Sequence, residues 1–99
     1  MSLSAQQIIA DINAYMQQHG GTNSSWYVGI ASDVHQRLFG DHGVSKDQGV
    51  WIYRQAISSA VARSAEKAYL AARCDGGSGG GDNSTVYVYA YRKTASTNP

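Results

Sequence analysis

Apolar positions along this chain switch between a helical period and a two-residue period, and the switches predict its elements. Over residues 4 to 19 the period is helical: Ile8, Ile9, Ile12, Tyr15 and Met16 recur three or four apart. Ser4, with Gln7 three residues on, has the form of a reciprocal N-terminal cap. Gly20-Gly21 ends this helix, since glycine takes up positive φ without a steric cost. A polar link at 22–25 leads into an apolar, aromatic strand at 26–30. Ser32 and Asp33 then offer side-chain oxygens to unpaired backbone N–H groups, so a helix is expected at about 33–39. Gly40-Asp41-His42-Gly43 stops it, and residues 45–49 form a turn.

The period returns to two at 50–56. Val50, Ile52 and Arg54 fall on one face of a strand, with Trp51, Tyr53 and Gln55 on the other. Ser58 or Ser59 caps an alanine-rich helix running to about Arg73, with Val61, Ala65, Ala68 and Ala72 as its expected apolar stripe. Residues 75–84 are dominated by glycine and are too flexible for regular structure. They read as a plain linker, or as a loop whose bare N–H groups meet a phosphate or carboxylate. No Lys-Ser/Thr follows the glycines, so this is not a P-loop. Residues 85–93 alternate most strictly, with Tyr87, Tyr89 and Tyr91 on one face and Val86, Val88 and Ala90 on the other. Residues 94–99 are expected to fray. Helix, strand, helix, strand, helix, strand predicts a small three-stranded sheet with helices packed on it, an α+β fold.

Composition narrows the class. The 99 residues suit one domain, 42% are hydrophobic and 15% charged, and the chain reads as globular. No apolar run approaches the ~20 residues of a membrane span, and no leader pattern points to secretion, so a cytoplasmic setting is expected. Cys74 is the one cysteine; it reads as a small apolar residue at a helix end rather than a nucleophile or zinc ligand. The net charge of +1 changes the picture more. Non-specific affinity for nucleic acid comes mainly from Lys and Arg on phosphates, so duplex DNA should bind weakly to this chain alone.

The candidate chemistry lies around Tyr27-Val28-Gly29. Gly29 lets the strand come close to something. A strand, a tight turn and a helix bring Tyr27 and Arg37 to one end of the sheet, where a phenol and a guanidinium could hold a phosphate.

Tyr27-Val28-Gly29, the spaced Arg37-Leu38 and Glu66 on a later helix together resemble the GIY-YIG nuclease family over roughly residues 25 to 70. The resemblance implies a GIY-YIG-like domain over 1–99, with an N-terminal helix at 4–19, a core at 25–93 and a mainly antiparallel sheet. It implies an endonuclease hydrolysing phosphodiester bonds in DNA. Arg37 would stabilise charge on the phosphate, and Glu66 would hold a single Mg²⁺ or Mn²⁺. Tyr27 or His42 would orient or deprotonate the attacking water.

Two positions depart from the family pattern. Its first triplet, Gly-Ile-Tyr, is absent about ten residues before Tyr27. The final strand offers a replacement: paired beside 26–30, it would bring Tyr87, Tyr89 or Tyr91 near Tyr27. The family also tends to place His or Tyr four residues after its arginine. Here Asp41 occupies that place and His42 follows, reaching the site only if the helix ends early. Glu66 also has an ordinary reading, as an exposed carboxylate paired with Arg63. The competing function is a catalytically inactive module of the same fold that binds a protein or nucleic acid, or dimerises through an exposed final strand. A third reading is a structural domain unrelated to nucleases.

Overall fold

The computed structural model describes residues 2–76 and 85–98. Helix α1, Ala5–His19, opens on the expected cap: Ser4 Oγ accepts from the Gln7 N–H at 3.3 Å, and Gln7 Oε1 accepts from the Ser4 N–H at 3.0 Å. Strands β1 (Trp26–Ala31), β2 (Trp51–Gln55) and β3 (Tyr87–Arg92) form one sheet, and α2 (Ser59–Ala71) connects β2 towards β3. Ser58 caps α2 by accepting from the Val61 N–H at 3.1 Å.

The sheet order is β1-β3-β2 and both pairings are antiparallel, so the fold is α+β. The last strand is therefore the central one. The expected route to a dimer through an exposed final strand is closed, because β3 spends its backbone groups on β1 and β2.

Alternation gives the sheet two unlike faces. Val28, Ile30, Ile52, Val88 and Ala90 face Ile8, Ile12 and Met16 of α1 and Ala62, Ala65 and Tyr69 of α2. This aliphatic side is the main core. The other side carries Tyr27, Tyr89 and Tyr91, packed with Val34, Leu38 and Val44 from the segment between β1 and β2.

Three segments differ from expectation. Helix α2 buries Ala62, Ala65, Glu66 and Tyr69, while Ala68 and Ala72 are exposed. The large ring of Tyr69 turns the helix, burying more apolar area than an alanine could and placing its hydroxyl 2.9 Å from Ile9 O and 2.8 Å from Asn13 Oδ1. The segment after β1 starts as foreseen, with Asp33 Oδ1 accepting from the Gln36 N–H at 3.1 Å. It then widens into a π-helix, Gln36–Asp41, instead of continuing as an α-helix. Residues 94–98 do not fray. They form a turn held by Thr97 N–H to Thr94 O at 3.2 Å, and Asn98 N–H donates to His42 O at 2.7 Å.

Asp75 runs along the outer edge of β1: Val28 N–H donates to Asp75 O and Asp75 N–H to Trp26 O, each at 2.9 Å. The rest of the glycine-rich stretch, residues 77–84, lies outside the described residues. Among the described residues no helix is long and apolar enough to cross a membrane.

Candidate active site on the aromatic face of the sheet

Register decides which tyrosines meet. Tyr27 pairs with Tyr91, and Gly29 pairs with Tyr89. A Cβ at position 29 would stand 2.5 Å from the Tyr89 hydroxyl. The phenol of Tyr89 therefore lies across β1 at the one place where no side chain intervenes, and this is the close approach that Gly29 permits. The Tyr27 ring stacks at 5.3 Å from Tyr91 and 6.3 Å from Tyr89, and lies 4.5 Å from the His42 ring.

The π-helix supplies the remaining groups. A π turn closes its backbone bond five residues back rather than four. The His42 N–H accordingly donates to Arg37 O at 2.9 Å. The wider turn absorbs one extra residue, so His42 shares a face with Arg37 although Asp41 holds the α-helical position. Asp41 instead pairs with Arg37 at 3.2 Å. This ion pair is half-exposed and worth little to stability, but it holds the guanidinium over the aromatic face.

His42 is 5% exposed. Its Nε2 lies 2.7 Å from the Tyr89 hydroxyl; its Nδ1 lies 2.7 Å from Asn98 O and 3.1 Å from the Tyr91 hydroxyl. A carbonyl only accepts, so in the neutral ring Nδ1 carries the proton and Nε2 accepts from the Tyr89 O–H. Burial lowers the His42 pKa, and the nearby Arg37 charge lowers it further. The Asn98 bond and Asp41 pull the other way without reversing the shift, so the ring is neutral at pH 7.

The Arg37 guanidinium stands close enough to the Tyr89 hydroxyl to favour its ionised form. Burial, and after it Tyr27, raises the Tyr89 pKa, while Arg37 pulls it down. One phenolic oxygen thus has a guanidinium charge near it and an imidazole acceptor in contact with it. Such an oxygen can take a proton on one side while passing its own to the other, and the positive charge beside it steadies any negative charge that appears in between.

Glu66 stands on the inward face of α2, 4% exposed, and close enough to act electrostatically on the Tyr89 hydroxyl. Burial raises its pKa; Arg63 and Lys67 on the same helix only partly offset this. It is therefore not the exposed partner of Arg63 that an ordinary helix carboxylate would be. Among the described residues no ion pair within 4 Å reaches it, and no group of three or more His, Cys, Asp or Glu is gathered. Mg²⁺ and Mn²⁺ take oxygen ligands, so the Glu66 carboxylate is chemically suited to either ion.

The structure brings Tyr27, Arg37 and His42 together on the aromatic face, whereas Glu66 stands on α2, which packs on the aliphatic face, and of the site's groups it acts electrostatically on the Tyr89 hydroxyl. The structure adds Tyr89 and Tyr91, which the alternation of the last strand had brought into view, and leaves Tyr87 at the rim against Tyr53. His35 points away, against Phe39 and Tyr53. Asn98 carried no sequence signal, since it acts through its backbone. Comparison with family models, curated proteins and solved structures finds no match to this chain.

Proposed function

We propose that this chain is a metal-dependent endonuclease hydrolysing phosphodiester bonds in DNA. The observation that carries the reading is the Tyr89 hydroxyl in contact with a neutral His42 beside the Arg37 charge, with buried Glu66 acting on it electrostatically from α2.

Phosphodiester hydrolysis needs a proton removed from water and charge neutralised at the phosphate. Tyr89 takes the proton from the attacking water as its own passes to His42 Nε2. His42 becomes an imidazolium whose Nδ1–H stays on Asn98 O. A free phenol, with a pKa near ~10, is a poor base at neutral pH; the concerted transfer to imidazole removes that handicap. Arg37 presents its planar fork of donors to the phosphate oxygens as their charge grows. Tyr27 walls the site and packs against His42, fixing the ring's orientation. Glu66 would hold Mg²⁺ or Mn²⁺, which when bound supplies neutralisation at the leaving oxygen.

Nicking of supercoiled plasmid in Mg²⁺ or Mn²⁺ tests this directly. Arg37→Ala and Glu66→Ala should each lower the rate by about 10²-fold or more, the scale of losing one preorganised charge-stabilising group. A folded natural chain that never nicks would leave the fold as a binding module and end the nuclease reading.

A further inference from the structure

We propose that residues 94–98 are a positioning element of this site and that the backbone of Asn98 sets the tautomer of His42. Two bonds close a ring between the segments: Asn98 N–H donates to His42 O at 2.7 Å, and His42 Nδ1 donates to Asn98 O at 2.7 Å. The first bond anchors the segment, and the second uses that anchor to hold a proton on Nδ1.

The second bond has a consequence at the far side of the ring. A neutral imidazole carries one N–H, so a proton fixed on Nδ1 leaves Nε2 as an acceptor. Nε2 faces the Tyr89 hydroxyl at 2.7 Å. With the proton on Nε2 instead, that N–H would donate to the hydroxyl and the Tyr89 proton would have no acceptor there. Tyr91 cannot replace Asn98 in this task. Its hydroxyl lies 3.1 Å from Nδ1 and can either donate or accept, whereas a carbonyl oxygen can only accept.

The local chain is shaped for the clasp. Gly43 follows His42 with φ of +67°, which turns the chain under residues 96–98; a Cβ there would meet Ser96 O at 3.5 Å. Thr94 and Thr97 hold the turn that aims Asn98 back at His42: the Thr94 N–H donates to Thr97 Oγ1 at 3.0 Å, and Thr97 Oγ1 donates to Thr94 O at 3.0 Å.

The catalytic consequence rests on the nuclease reading, but the tautomer does not, and the test separates them. Nitrogen-15 shifts of the His42 imidazole are recorded for the natural chain, Asn98→Ala, Asn98→Pro and a chain lacking residues 95–99. The natural chain should show Nδ1 protonated and Nε2 bare. Asn98→Ala keeps both backbone groups and should look the same. Asn98→Pro removes the anchoring N–H, and the deletion removes both bonds; in each, the Nε2–H form should rise to at least half of the neutral population. Plasmid nicking by these two variants should fall in kcat by about 10-fold or more with KM within about twofold, as for a group acting on a transition-state proton transfer rather than on binding. Nε2–H in the natural chain, or an unchanged tautomer in a folded Asn98→Pro chain, overturns the proposal. The expected shifts in a chain that does not nick would uphold the clasp and sink the nuclease.

Discussion

A helix that packs on an aliphatic core gains nothing from a carboxylate on its inward face. Glu66 nonetheless sits there between Ala62, Ala65 and Tyr69. Burial raises its pKa above the ordinary carboxylate value, while its unfolded pKa stays ordinary. Between those two values the folded chain binds more protons than the unfolded one, so stability falls as pH rises through that window. At neutral pH the ionised Glu66 is therefore a cost to the fold. Glu66→Gln should raise the melting temperature at pH 7 by several degrees, since about 1 kcal/mol moves a domain of this size by roughly 4–8 °C. The difference between variant and natural chain should narrow as pH falls towards the raised pKa. Calorimetry across pH 4–8 measures both, and a less stable Glu66→Gln chain would mean that Glu66 is structural. A variant more stable yet unable to nick is the pattern expected of a residue kept for function. At this scale Tyr27, Arg37 and Glu66 were singled out because their spacing resembles a known pattern, and His42 although it falls one residue beyond that pattern. Asn98 was not, because any residue with a backbone carbonyl could stand there.

At the scale of elements, periodicity placed the three strands and two long helices within a residue or two. The faces of β2 and β3 followed from strict alternation. It misjudged α2, where six alanines over 60–72 blur the apolar stripe and one tyrosine decides the rotation. It could not foresee the π-helix, because the same side chains suit an α-helix until the register of His42 is considered. The wider turn has a testable logic. Deleting Gly40 removes one residue from it, after which an ordinary α-helical turn puts His42 four residues from Arg37, on the same face. Asp41 moves to the third position, still within reach of the guanidinium. The shortened chain should therefore keep nicking within about 10-fold of the natural rate. Inserting an alanine after Gly40 should abolish it, because His42 then rotates off the Tyr89 hydroxyl. If the deletion is as damaging as Arg37→Ala, the π geometry itself is required and the simple register argument fails.

The whole molecule divides its labour between the faces of one sheet. Two helices cover the aliphatic face and supply most of the core, while the aromatic face is left to Tyr27, Tyr89, Tyr91 and His42. Because β3 lies in the middle, its tyrosines reach the site from the strand best held on both sides. What this scaffold does not supply is a broad positive surface. Of eight Lys and Arg residues, ion pairs among the described residues tie Arg37 to Asp41, Arg54 to Asp11 and Lys93 to Asp75. The other five are scattered, with Lys46 before β2, Arg63 and Lys67 on α2, Arg73 after it, and Arg92 at the end of β3. The longest extent of the described chain is 32 Å, which along one DNA strand spans only about nine phosphates at ~3.4 Å each. One orientation can bring few of those five charges onto a duplex together. Each phosphate neutralised contributes about −0.9 to the slope of log K against log salt, so the slope for duplex DNA should lie between about −1 and −3. Dedicated binders with roughly 6–10 phosphate contacts reach far steeper values. Anisotropy titrations of labelled duplex at several salt concentrations, without divalent metal, give the slope directly. A value near −6 would require basic surface that one copy lacks, and would point to an assembly of several copies as the form that meets DNA.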